Sequence, residues 1–265
     1  MILMEAKEQI YLSLLSIKYN IIREIVDSKA FILSIFLSIL NNAVFIVQWI
    51  ILFNLRNEMG GYKFNDIMYI WAMACSTSGM AAVFFNGARR LPELIFMGKL
   101  DSYIVQPRNL YLNIATSSSD IFALGDMVYG TILCLIFLRS FLSFVLFIFF
   151  TITGSMIMLA FHMTVGSLAF WIKNGRLVSL LLGNIMMTVS TYPDGIFNKA
   201  IKVLLYSIFP MGFIVYIPVK VLRDPTLLLV LLVFIAMLFF LLISLFVFYI
   251  GKKHYSSANR MFGKY

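Results

Sequence analysis

Charge is what this 265-residue chain has least of. Asp, Glu, Lys and Arg together make up 12% of it, about half the share of an ordinary soluble domain. With 62% hydrophobic residues, that scarcity excludes a soluble globular enzyme and assigns the chain to a membrane. Cysteine is nearly absent. Cys75 and Cys134 both stand in apolar runs, which excludes a disulfide scaffold and favours buried thiols over a redox pair. Histidine is as rare, only His162 and His254, and no HExxH or cysteine–histidine cluster has metal-ligand spacing. No GxxxxGK[ST] occurs, so no P-loop is present. Gly98-Lys99 is followed by Leu100 and has no glycine five positions earlier. Aromatics, at 16%, exclude a disordered chain.

What is present is a series of apolar stretches. A membrane-crossing helix needs about 20 apolar residues, and six stretches qualify or nearly so: 30–53, 67–85, 121–138, 141–172, 177–191 and 226–250. Asn41, Asn42 and Gln48 interrupt the first. The second is rich in small residues such as Ala72, Ser76, Gly79 and Ala82, which let membrane helices approach closely and predict a central position. The fourth would be about 48 Å long as one helix, so it must tilt, break or protrude. The fifth is short and the sixth is the most aliphatic.

Two segments flank this pattern. Residues 1–29 carry eight charges, with Ile10, Leu14, Ile17, Ile21 and Ile25 at helical spacing. They predict a helix lying in the membrane interface rather than a signal peptide. Residues 192–224 are aromatic and apolar but interrupted by Lys199, Lys202, Pro210, Pro218 and Lys220. Re-entrant helical hairpins fit that stretch better than a span or a wet loop. The net charge of +9 is not read as a nucleic-acid signal, because basic residues of a membrane protein mark its cytoplasmic loops. With the N-terminus inside, 14 of the 21 lysines and arginines fall in the cytoplasm. Both termini are therefore expected there.

Three groups of residues are candidates for function. Asp126 stands six residues into the third apolar run and needs a partner or water; His162 stands in the fourth run, as a structural histidine or a proton relay. Segment 86–113 mixes charge with Leu91, Leu94, Phe96, Leu100 and Tyr103. A short helix offered to a soluble partner and a helix resting on lipid fit it equally well. In the outer stretch, Phe209, Phe213 and Tyr216 are the candidate gate.

Motifs in this order point to a family. Gly98-Lys99-Leu100-Asp101-Ser102-Tyr103-Ile104-Val105-Gln106-Pro107-Arg108 resembles the G-x-L-D-x-x-L-x-x-P stretch of type-2 exporter permeases of ABC transporters. Gly125-Asp126 with Tyr129-Gly130 is similar to their third-span signature. Tyr192-Pro193, Ile196-Phe197, Pro210, Phe213, Tyr216 and Pro218 are similar to their segment before the last span, and 251–258 to their C-terminus. The resemblance implies an all-α membrane protein of six spans, with an N-terminal interfacial helix, a cytoplasmic coupling helix and outer re-entrant helices. It implies that Leu91, Leu94, Phe96, Leu100, Asp101 and Tyr103 couple to a separate ATPase subunit, which binds ATP and Mg. It implies no cofactor in this chain, a second permease subunit, identical or paralogous, and a plasma-membrane location.

The leading expectation is thus half of an export pathway driven by ATP. A secondary transporter or channel without an ATPase is the alternative, but inverted repeats and buried charge relays are not visible. An intramembrane enzyme would need more than Asp126 and His162. No polar lining names a substrate.

Overall fold

The computed structural model describes residues 6–25, 28–137 and 140–256. The ends of the expected interfacial helix, residue 138 of the third run, Arg139 in the charge count and the tail motif from Ser257 lie outside the described residues. Among the described residues the chain is helical, with no strand beyond one isolated bridge, Met59 to Tyr62.

Eleven α-helices follow in order: α1 (Ala6–Glu24), α2 (Ser28–Leu55), α3 (Phe64–Phe96), α4 (Asp101–Ile104), α5 (Leu110–Ala115), α6 (Ala123–Phe137), α7 (Phe141–Ser167), α8 (Gly175–Ser190), α9 (Lys199–Tyr206), α10 (Ile217–Arg223) and α11 (Leu227–Lys253). Polar side chains fix several starts. Ser140 accepts from Ser143 N–H before α7, Asn109 from Leu112 N–H before α5, and Asn198 from Ile201 N–H before α9. Each satisfies a donor that the first helical turn leaves open. At α3, Asp66 reaches back to the Lys63 N–H at 2.8 Å.

Among the described residues, four helices are long and apolar enough to cross a membrane: Phe31–Leu55, Phe64–Phe96, Phe141–Phe170 and Leu227–Lys253. Ala123–Phe137 and Gly175–Ser190 stand where the third and fifth spans are expected. They are shorter, at 15 and 16 residues, about 22–24 Å against an apolar thickness of about 30 Å.

α3 is the centre. Its most apolar window is 78% buried, against 11% for α2 and 17% for α11. Two glycines bring α6 against it. A Cβ on Gly79 would stand 2.7 Å from the Ala123 carbonyl oxygen, and one on Gly130 would stand 2.4 Å from Ser76 Oγ. Contact at that range is open only to residues without a side chain. α7 packs on α3 with Gly154 against Thr77, and α11 packs on the far side of α7.

The structure differs from the sequence pattern in one place and sharpens it in two. The second apolar run does not end its helix at residue 85. α3 kinks at Phe85, whose φ and ψ are −133° and 26°, and continues as a helix through Arg89, Arg90 and Pro92 to Phe96. Charge marked the end of the apolar slab and not the end of the helix. The fourth run breaks rather than protrudes: α7 stops at Ser167, a single 3-10 turn covers Leu168–Phe170, and α8 starts at Gly175. Stretch 192–224 is divided into four short elements, a 3-10 turn (Asp194–Ile196), α9, a π turn (Gly212–Tyr216) and α10.

Candidate functional site

The carboxylate of the third apolar run has found its partners. Asp126 Oδ1 accepts from Ser38 Oγ at 2.5 Å and from Asn42 Nδ2 at 2.7 Å. Asn42 is buried, and its own side-chain oxygen accepts from Cys75 Sγ at 3.4 Å. The Tyr129 hydroxyl donates to the Asn42 carbonyl at 3.2 Å. α2, α3 and α6 are thus joined through one polar knot inside apolar surroundings. Asn42 was visible in sequence as an interruption of the first run, but nothing in the spacing paired it with a residue 84 positions later.

Beside the knot a cleft of about 360 Å³ opens, bordered by Ser38, Asn41, Ser78, Arg89, Asp120, Asp126 and Met187. Arg89 also borders two smaller cavities with His162. His162 is buried and meets the Phe161 ring edge-on at 5.6 Å. Asp126 and His162 therefore border different cavities, with Arg89 and Met187 common to the cleft and the cavity beside it. Arg89 was counted in the sequence as a loop charge. The kinked extension of α3 places it at this opening instead.

The segment after α3 folds back on the bundle. Gly98, at φ +67°, makes the reversal in a backbone region that favours glycine, and Leu100 N–H reaches the Leu94 carbonyl at 3.2 Å. Leu91, Leu94 and Leu100 are buried with Leu110, Tyr111 and Ile114 against Leu159, Met163 and Phe248. Tyr111 and Ser244 join their hydroxyls at 2.7 Å. So this segment is no free-standing amphipathic helix. Its leucines hold it to α7 and α11, while Phe96 (70% exposed) and Val105 (76%) face outward. Tyr103 is half-buried. Asp101 faces Tyr255 beyond the end of α11; burial, and then the Asp101 carboxylate, push that phenol up to about 12.

At the other end of the bundle, Asp194 is a hub. Tyr62 Oη donates to its Oδ1 at 2.7 Å, and Tyr206 Oη to its Oδ2 at 3.3 Å. Burial, and then the Asp194 carboxylate, hold both phenols well above the usual tyrosine range. Tyr62 is presented by a tight turn, Met59 to Tyr62, closed by two backbone hydrogen bonds of 3.0 Å. Gly60 (φ +58°) makes that turn and lies flush against Gly195, where a Cβ would stand 1.7 Å from the Gly60 oxygen. Arg223 Nε and Asp66 Oδ1 close a second link at 3.3 Å. Tyr216 is buried, its hydroxyl 3.1 Å from the Val189 and Tyr192 carbonyls. Phe209 and Phe213 stand half-buried against Phe161 and Phe240.

A family profile described as ABC-2 family transporter protein matches residues 39–259. The chain belongs to that family. Neither curated proteins nor solved structures give a match. The matched region of this ABC-2 family member runs from within α2 past the end of α11. It takes in the segment after α3, the Asp194 hub and the whole cleft lining except Ser38.

Proposed function

We propose that this chain is the membrane subunit of an ATP-driven exporter. Two such subunits, identical or paralogous, enclose the pathway in the plasma membrane, and a separate ATPase subunit docks beneath them and binds ATP and Mg. Both termini and the 86–113 segment are then cytoplasmic, and this chain hydrolyses nothing. The observation that carries the reading is the family match over residues 39–259, combined with a segment that is welded to the bundle yet keeps Phe96 and Val105 outside.

The mechanics follow from that weld. Phe96 and Val105 receive the thrust of the closing ATPase. Leu91, Leu94 and Leu100 cannot slide, because they interlock with α7 and α11, so displacement passes into those helices as a rigid-body tilt. Asp101 and Tyr103 sit between the contact and the weld. At the outer end, the tilt separates the Asp194 hub, with Phe209, Phe213 and Tyr216 as the packed face of an external gate. Asp126 holds α2 and α6 in register, and His162 is a packed residue of α7.

Co-expression of the full chain with its cognate ATPase tests the proposal. The wild-type complex is expected to copurify and hydrolyse ATP, and Phe96→Asp with Val105→Asp to lose the ATPase while the permease stays inserted. Transport that persists with no ATPase attached would return the reading to a secondary transporter or channel.

A further inference from the structure

The cleft beside Asp126 carries charges of both signs that do not meet. Arg89, which is exposed, and the half-buried Asp120 and Asp126 all border it. Among the described residues none of the three forms an ion pair within 4.0 Å; the two such pairs involve other residues. Asp126 uses one carboxylate oxygen for Ser38 and Asn42, and its Oδ2 receives no donor among the described residues. Asp120 uses Oδ1 for the Phe122 N–H at 3.2 Å. Unpaired charges at the margin of a membrane are expensive, and here they are held apart across an opening of about 360 Å³, at the lower end of ligand-site volumes. Met187, Ala82 and Phe122 supply apolar surface at the same opening.

We propose that this cleft is a recognition site for a zwitterionic amphiphile carrying a primary ammonium group and a phosphate or carboxylate. Arg89 takes the anionic group, for which its planar fork of donors is suited. Asp120 and the free oxygen of Asp126 take the ammonium. The apolar tail leaves past Phe122 and Met187 toward the exposed faces of α2 and α8. Complementarity in both charges rejects ligands with only one, because each would leave an opposing charge desolvated and unpaired. The inference deepens the transporter reading by naming a substrate class, and it rests on that reading only for the ligand's being cargo.

Binding to the purified full chain in a non-ionic detergent tests it without an ATPase. The probes are lysophosphatidylethanolamine, lysophosphatidylglycerol, dodecylamine and free phosphoethanolamine, read by tryptophan fluorescence. Lysophosphatidylethanolamine is expected to bind at least about tenfold more tightly than either singly charged amphiphile. Arg89→Gln is expected to reduce it to the level of dodecylamine, and Arg89→Lys to restore part of the difference. Asp120→Asn is expected to weaken it without touching the α2–α6 knot; Asp126→Asn should weaken it further where that variant folds. Equal binding of free phosphoethanolamine would identify a soluble zwitterion as the source, whereas binding of the lyso-lipid alone identifies a lipid headgroup. No preference in the wild type, or no loss in Arg89→Gln and Asp120→Asn, overturns the proposal. So does an Arg89→Gln variant that only dissociates a permease dimer, which would assign these charges to a subunit contact. Association with the ATPase, measured separately, reports on the transporter reading, so either can fail alone.

Discussion

Asn42 is a single amide that satisfies three neighbours: the Asp126 carboxylate, the Cys75 thiol and, through its backbone, the Tyr129 hydroxyl. Replacing it by leucine leaves a carboxylate with one fewer donor in an apolar setting, which costs about 1–3 kcal/mol. Asn42→Leu is therefore expected to lower the melting temperature in detergent, and an unchanged melt would remove the knot from the list of structural devices. The Asp194 hub gives a pH dependence. Tyr62 and Tyr206 ionise higher in the folded protein than in the unfolded chain, where tyrosine titrates near about 10. A raised folded value means that the contribution is complete below about pH 10 and declines as pH rises beyond it, because the unfolded chain then releases protons the folded one retains. Phenolate absorbance followed against pH should show a late-ionising fraction that includes Tyr62, Tyr206 and Tyr255, and Asp194→Asn should bring the share of Tyr62 and Tyr206 part of the way back toward the ordinary range.

At the scale of elements, α3 decides most. It is long and apolar enough to cross, kinks at Phe85, and delivers Arg89 to the cleft and Leu91 and Leu94 to the weld with α7 and α11. Its partner α6 can lie close only because Gly79 and Gly130 lack side chains. Gly130→Leu is expected to force the two helices apart and to abolish folded protein, seen as loss of the monodisperse peak on size exclusion. Segment 86–113 separates two kinds of apolar residue that the sequence shows side by side. Leu100→Asp puts a charge at a position with 0% exposure, at a cost of at least about 3 kcal/mol, and should fail to fold. Phe96→Asp meets solvent and should leave the melt within about 0.5 kcal/mol of wild type. If both variants melt alike, the division between weld and contact face is wrong.

For the molecule as a whole, burial is uneven. α3 and α7 form the interior, while α2 and α11 leave most of their apolar surface uncovered; in an assembly that surface meets lipid or a second subunit. The charge distribution gives the orientation test. Cys75 and Cys134 are buried, so the wild type should give little background with a thiol reagent. Lys99→Cys and Lys253→Cys are expected to resist a membrane-impermeant reagent in intact cells and to react once the membrane is opened. Ready labelling in intact cells would invert the topology.

Composition alone placed this chain in a membrane, because 12% charged residues cannot cover a wet surface. Apolar run length located four helices long and apolar enough to cross and two shorter ones, since span length is set by bilayer thickness, and the small residues of the second run marked the most buried helix. In stretch 192–224, prolines and lysines interrupt apolar residues, and the helix there is divided into short pieces. Helix ends were less legible. Arg89 and Pro92 look like the close of a span, yet packing of Leu91, Leu94 and Gly166 carries α3 onward. Which apolar residues of segment 86–113 face inward was undecidable from spacing, because Gly98 turns the chain and no helical period survives the turn. The partners of Asp126, the meeting of Tyr62 with Asp194 and the gathering of Arg89, Asp120 and Asp126 at one cleft all join residues far apart in the chain. Only the tertiary structure decided those, because long-range pairing depends on how helices cross and not on what any one of them contains.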